Sequence, residues 1–298
     1  MDGALPFTPS LATQPQVTAF YDPHSQTLTY IVKDPNSSAC AIIDPVADFD
    51  YASGSLHFAQ ADQLIHYIHE HHLSLAWILE THIHADHLTS AHYLQQQLGG
   101  KLGIGNKVTE VQSTFARFFN DTHSVPCDGS QFNTLFNDGD SFQIGQLTGH
   151  VLQTPGHTPA CVTYVIGNTA FIGDTLFMPD SGTARTDFPG GDAKTLYQSI
   201  QRIFNLPDTT RLFMCHDYCP DGRQLQFESS VKTEQENNIH INAQVTEQEF
   251  ITLRQQRDAI LTMPQLIIPA LQVNIRGGKL PLPADNGATY LKLPINGF

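Results

Sequence analysis

The sequence predicts an α/β fold in which two β-sheets lie sandwiched between helices. Three observations carry that expectation: short β-branched and apolar runs punctuated by Asp-Pro and Pro-Asn turns, longer stretches with apolar residues at helical spacing, and the recurrence of this hairpin-and-helix alternation on both sides of the chain's middle. With 298 residues the chain is long enough to bury a sizeable core in one domain. The expected organisation is a single domain over 1–298, with a core at about 16–262 and a C-terminal extension at about 263–298 packed on the main body.

The residues up to about Thr13 have no period and read as a loose tail or a surface strap. Gln16–Phe20, Thr27–Val32 and Ala39–Ile43, separated by Asp22-Pro23 and Asp34-Pro35-Asn36, read as a β-meander that Asp44-Pro45 stops. Leu64, Ile65 and Ile68 mark a helix over Gln60–His72, and Leu75–Leu79 is a short buried strand after it. Thr89 stands where it can cap a helix through Leu94 to Leu98, closed by Gly99-Gly100. A helix over Val108–Phe119 is followed by strands around Ser141–Ile144, Leu147–Gln153, Val162–Ile166 and Ala170–Ile172. Ala193–Phe204 reads as a helix, Leu212–Cys215 as a strand, and Thr246–Ile260 as a helix opened by a Thr246/Glu249 capping box. Gly99, Gly100, Gly103 and Gly105 lack the GxxxxGK[ST] arrangement of a phosphate loop and read as turns.

Composition narrows the class of function. A hydrophobic content of 40%, a mean hydropathy of −0.21 and no apolar run suited to a span exclude an integral membrane protein. A formal charge of −14 repels a polyphosphate backbone, so a small molecule rather than nucleic acid is the expected partner. The first basic residue is Lys33, which fits neither a secretory signal nor a transit peptide, and the cytoplasm is the expected compartment. Cys40, Cys127, Cys161, Cys215 and Cys219 are odd in number and scattered, as reduced thiols would be. Homo-oligomerisation is expected only at the base rate of soluble enzymes.

The chemistry concentrates in His82-x-His84-x-Asp86-His87, directly after a strand. Three imidazoles and a carboxylate in six residues are hard to bury unless each finds a partner, and a metal supplies those partners at once. His157, on a Pro/Gly loop, Asp174, at a strand end, and His216, after an apolar strand, are three more donors at strand ends, where α/β folds place ligands. His66, His69, His71 and His72 lack such a setting and read as the solvated face of a helix.

This pattern resembles the metallo-β-lactamase superfamily over about Gln16 to Tyr218, and so implies an αββα sandwich of two mixed β-sheets flanked by helices. By the family pattern His82, His84 and His157 would serve one metal position, Asp86, His87 and His216 the other, with Asp174 as the bridge. Flavodiiron oxidases carry Glu at the position of His84, which disfavours that branch. The stretches Gly182–Phe188, Gly190–Ala193, Pro155–Cys161 and His216-Asp217-Tyr218 are similar to persulfide dioxygenases, the iron-dependent relatives of glyoxalase II. Persulfide dioxygenases hold one iron through the equivalents of His82, His157 and Asp174, a two-histidine, one-carboxylate triad with open positions. The tail after Cys219, with Asn274-Ile275-Arg276-Gly277-Gly278, departs from the better-known members and resembles a bacterial subgroup.

What the resemblance implies is an enzyme holding one Fe(2+) per subunit that takes a glutathione persulfide, or a related small thiol's persulfide, and O2 to sulfite and thiol. His82, His157 and Asp174 would be its catalytic ligands. His84, Asp86, His87 and His216 would be outer donors or a second metal set. Arg185 is a candidate for the substrate carboxylate or for pairing with Asp187, and Tyr218 for a substrate hydrogen bond or rim packing. Cys161 reads as a small buried residue rather than a sulfur acceptor. No organic cofactor is expected. The rival enzyme is a hydrolase of glutathione thioesters with one or two Zn(2+), and the rival from another class is a non-catalytic metal or sulfur sensor.

Overall fold

The computed structural model describes residues 5–9 and 14–297. The chain begins with the meander β1 (Gln16–Asp22), β2 (Thr27–Lys33) and β3 (Ala39–Ile43), followed by β4 (Val46–Asp50), β5 (Ser55–His57), α1 (Ala59–Glu70), β6 (Ser74–Leu79), β7 (Leu88–Thr89), α2 (Ala91–Leu98), β8 (Lys101–Gly105), α3 (Val108–Phe118) and β9 (Thr134–Phe136). The second half holds β10 (Ser141–Ile144), β11 (Leu147–Gln153), β12 (Val162–Ile166), β13 (Thr169–Phe171), α4 (Ala193–Phe204), β14 (Arg211–Phe213), a 3-10 turn at Pro220–Gly222, β15 (Glu228–Ser230), α5 (Val231–Asn237), α6 (Glu247–Asp258) and α7 (Ile267–Asn274).

The strands form two mixed sheets in the orders β1-β2-β3-β6-β8-β9 and β10-β11-β12-β13-β14-β15, with a small third sheet β5-β4-β7. In the first sheet β3, β6, β8 and β9 run parallel, and in the second only β13 and β14 do. Alternation along β2 explains the layering. Leu28, Tyr30 and Val32 enter the core between the sheets, with Tyr164, Phe171 and Phe213 opposite, whereas Ile31 faces the helices. A second core joins the first sheet to α1, α2, α3 and α7, and a third joins the other sheet to α4 and α6. The architecture is the expected sandwich, helix–sheet–sheet–helix.

Strand and helix positions follow the sequence reading closely, and the differences have identifiable causes. Ser90, not Thr89, is the N-cap of α2; Thr89 sits in β7, accepts from the Ala91 N–H at 3.0 Å and donates to buried Glu80. Gly103 and Gly105 are not turns but positions in β8, where a Cβ would lie 2.5 Å from the Phe136 ring and 2.5 Å from the Ala160 carbonyl oxygen respectively. Gly99 and Gly100 do turn, with φ of 73° and 85°. The extension from 263 onward carries a helix that local pattern did not reveal, because Pro264 precedes it closely and Pro269 lies within it; Pro269 falls in the first turn of α7, where an N–H would be unsatisfied anyway. Ile267, Leu271 and Ile275 of this segment belong to the core beneath the first sheet.

Residues 5–9 of the opening segment act as a strap: Leu5 and Phe7 pack against the third core, and Phe7 stacks on His150 at 4.5 Å. Residues 1–4 and 10–13 of that expectation lie outside the described residues. The five cysteines form no disulfide. Among the described residues no helix is long and apolar enough to cross a membrane.

Candidate metal centre

Every candidate ligand sits just beyond a strand, at one edge of the sandwich. Strand β6 delivers the loop Glu80–His87 between the ends of its parallel neighbours β3 and β8. His157 stands on the loop between β11 and β12, Asp174 follows β13, and His216 follows β14. Gly173, with φ of 52°, lets these loops meet, since a Cβ there would come within 2.7 Å of Thr81 Oγ1.

Buried Asp44, at the end of β3, organises the first loop. Its carboxylate accepts from Thr81 N–H at 2.7 Å, Thr81 Oγ1 at 2.8 Å and His84 Nε2 at 3.0 Å. The Thr81 hydroxyl, having given its proton to Asp44, accepts from His82 Nδ1 at 3.0 Å. One carboxylate therefore orients two imidazoles, leaving His82 Nε2 and His84 Nδ1 buried with no hydrogen-bond partner. His87 follows the same logic: Nδ1 donates to Asp86 Oδ2 at 3.0 Å and Nε2 is left unpartnered. His157 Nδ1 donates to the Arg185 carbonyl at 2.8 Å, so its Nε2 looks towards Asp174 Oδ2, 3.7 Å away. His216 Nδ1 donates to the Gln26 carbonyl at 3.1 Å, and its Nε2 lies 3.3 Å from Asp174 Oδ1 and 3.6 Å from Asp86 Oδ2.

Unpartnered, buried nitrogens and a carboxylate facing one space are the donor set a divalent cation requires, and they fit such an ion. The groups whose ligand atoms all lie within 4.8 Å of one another are His82/His157/Asp174, His84/Asp86/His87, Asp174/Cys215/His216 and Asp44/Glu80/His84. All seven sequence-predicted ligands thus share one chamber. His84 falls with Asp86 and His87, and His216 with Asp174. Burial, with the nearby His84 and His157, drives His82 well below its ordinary pKa, so its lone pair is available. Against the opposing effect of burial, Asp44 and Glu80 hold His84 high, while His87 and His216 hold the Asp86 carboxyl low. Burial pushes the Glu80 carboxyl up, with His84 opposing.

Two cavities meet at Asp86. One, of about 500 Å³, is walled by His157, Asp174, Arg185, Tyr218, Arg254 and Leu261. The other, of about 600 Å³, is walled by Asp22, Asp48, Asp50, His57 and His87 and carries no Lys or Arg. Arg185 is committed to Asp187 through two bonds of 2.6 Å and to the Thr262 carbonyl at 2.7 Å, which is the pairing role. Tyr218, 47% exposed, stacks on His216 at the rim. Cys161 is buried, its sulfur 3.1 Å from Thr158 Oγ1, and burial pushes its thiol up to about 12, which removes it as a nucleophile at neutral pH. His66, His69, His71 and His72 are exposed.

Sequence reasoning missed Asp44, Glu80 and Asn274, as well as the network behind the arginine-bearing cavity. Arg254 donates to Thr183 O at 2.7 Å and to Asp258 at 2.8 Å, Asp258 accepts from Thr186 N–H at 2.9 Å, and His240 Nδ1 accepts from Thr183 N–H at 2.9 Å. These bonds pin the segment whose Arg185 carbonyl orients His157. Burial, then the charges of Arg254 and Arg257, lowers His240 from 6.5 to about 4. Its native pKa lies below the unfolded one, so the associated stability is whole above pH 6.5 and is lost as pH falls towards 4, about 3 kcal/mol in all. In His240→Asn, which keeps an acceptor for Thr183, unfolding measured between pH 7 and 4.5 should depend on pH less steeply than wild type by about that amount; identical slopes would show that His240 is not buried neutral.

Comparisons with known proteins match this fold. The family model described as the metallo-β-lactamase superfamily matches residues 22–216. A "Probable metallo-hydrolase" of Burkholderia pseudomallei is 49% identical over 94% of this chain and 99% of its own length. A "Beta-lactamase hydrolase-like protein" of Agrobacterium fabrum is 53% identical over 96% of this chain, which spans 66% of that longer protein. The mitochondrial persulfide dioxygenase ETHE1 of Bos taurus is 32% identical over 87% of each chain. Among solved structures, ETHE1 from Myxococcus xanthus superposes with a TM-score of 0.71 at 29% identity, over 89% of this chain and 100% of that one.

Proposed function

This chain belongs to the metallo-β-lactamase superfamily, and from that premise we propose that it is an iron-dependent persulfide dioxygenase acting on glutathione persulfide or a related small thiol's persulfide. The observation that carries the reading is the group His82, His157 and Asp174: two imidazoles and one carboxylate, mutually within 4.8 Å, of which His157 and Asp174 line the arginine-bearing cavity. That ligand set is the one suited to Fe(II) with open positions for oxygen chemistry. The similarity to persulfide dioxygenases of cattle and of Myxococcus supports it.

In the proposed reaction the persulfide, O2 and water give thiol and sulfurous acid. The terminal sulfur loses four electrons, dioxygen gains four, and the S–S bond breaks with its electron pair passing to the thiol sulfur. Fe(II), held by His82, His157 and Asp174, would supply the electron exchange that makes dioxygen reactive towards sulfur. Everything else falls to the chain. Arg254 is spent on Asp258, so Arg257, exposed at this cavity, is the cation offered to an anionic thiol carrier despite the net charge of −14. Asp174 and Asp86 flank His216 Nε2 at 3.3 and 3.6 Å, so a proton on that nitrogen has carboxylate acceptors. Phe177, Phe188 and Leu261 supply the apolar part of the cavity wall.

A specific observation favours a second reading. His84 Nδ1 and His87 Nε2 are unpartnered beside Asp86, so a second cation has donors, as in a zinc thioester hydrolase. The test is oxygen uptake and sulfite release by anaerobically Fe(II)-reconstituted protein given glutathione persulfide, set beside thioester cleavage by the zinc form. Iron-dependent uptake with one sulfite per O2 supports the dioxygenase. No uptake, with zinc-dependent thioester cleavage, replaces it with the hydrolase.

A further inference from the structure

Helix α7 reaches the metal centre through its last residue. Asn274 is 2% exposed, and its amide is fully engaged with one stretch of backbone. Nδ2 donates to the His84 carbonyl at 2.8 Å and to the His87 carbonyl at 2.8 Å, while Oδ1 accepts from the Thr89 N–H at 2.9 Å. The three peptide groups belong to the turn that carries His84, Asp86 and His87. Drawing the carbonyls of His84 and His87 to one amide fixes how those residues are rotated about the turn, and hence where their unpartnered ring nitrogens point. The clamp is itself anchored, because Gln112 Nε2 donates to the Ile275 carbonyl at 2.9 Å and Arg276 pairs with Asp121. Gly278, with φ of 85°, lets the chain after α7 lie against this turn, a Cβ there coming 3.2 Å from the Thr89 carbonyl oxygen.

We propose that Asn274 is a positioning residue of the metal centre, whose side-chain amide sets the turn so that His84, Asp86 and His87 face the chamber shared with His82, His157 and Asp174. The proposal rests on the chamber being a metal site and is independent of which reaction that metal serves. Asn274→Asp keeps shape and the acceptor for Thr89 but replaces both donors with an oxygen facing two carbonyls.

The experiment is Co(II) titration of the metal-free protein, read by the visible ligand-field spectrum and the dissociation constant, with thermal unfolding in parallel. Gln272→Leu is the control: Gln272 makes three comparable bonds on the same helix, to Ile268, Lys292 and Lys292 again, all away from the turn. The expected result is a shifted spectrum and about 10- to 100-fold weaker Co(II) binding in Asn274→Asp, with wild-type spectrum and affinity in Gln272→Leu even where its melting temperature falls. Should Asn274→Asp not fold, Asn274→Ser, which retains one short donor without a charge, takes its place with the same expectation. Wild-type affinity and spectrum in a folded Asn274 variant overturn the proposal, as does an equal loss in the Gln272 control. A wild-type protein that binds no Co(II) removes the metal assignment itself, and the proposal with it.

Discussion

Replacing His157 with alanine is expected to lower kcat/KM for persulfide-dependent oxygen uptake by at least about 1,000-fold, the several kcal/mol that metal-ion activation supplies. His157 spends Nδ1 on the Arg185 carbonyl, so Nε2, 3.7 Å from Asp174, is the atom the His82/His157/Asp174 group loses. Iron retained after gel filtration should fall with activity. His216→Ala is the informative companion. If one iron is held by His82, His157 and Asp174, His216→Ala keeps near wild-type iron and loses only about 10- to 100-fold, the usual cost of an outer partner. Iron lost equally from both variants would sink the three-ligand assignment and point to two linked metal positions.

The second large effect needs no metal. Asp44→Ala should destabilise the metal-free protein by about 3–5 kcal/mol, because it leaves a buried cation and two donors without their acceptor. The Thr81 N–H, the Thr81 hydroxyl and His84 Nε2 all converge on this carboxylate, and both partners of the ion pair are buried. Asp44 also has φ of 50°, a conformation that Asp and Asn accept far better than alanine. Asp44→Asn, tolerant of that backbone and still an acceptor, should therefore lose less. Urea unfolding of metal-free proteins at pH 7 reads both values; an Asp44→Ala variant within about 1 kcal/mol of wild type would contradict the clamp.

Local chemistry was legible wherever one short stretch contained the whole argument. Four candidate ligands in His82-x-His84-x-Asp86-His87 announced themselves by density, and the Thr246/Glu249 box opening α6 was found as read. What escaped depended on partners far along the chain. Asp44 precedes a proline and so passed for turn punctuation, while its role comes from the parallel pairing of β3 with β6. Gly103 and Gly105 are glycines because of Phe136 and the Ala160 carbonyl, neither adjacent in sequence. His240 has no motif around it, only Thr183 and two arginines brought close by α6. Asn274 stands in a proline-broken segment whose only periodic signal is buried beneath the first sheet.

The separation between Asn274 and the turn it holds also orders events during synthesis. Asn274 lies 190 positions after His84, so at about 5–20 residues per second a ribosome releases it some ~10–40 s later. His157, Asp174 and His216 emerge in that interval, each from a strand of the other sheet. A nascent chain therefore displays the histidine loop before His157, Asp174 and His216 have joined it. The clamp on the turn therefore forms only after all the other candidate ligands are out, once α7 has docked beneath the first sheet.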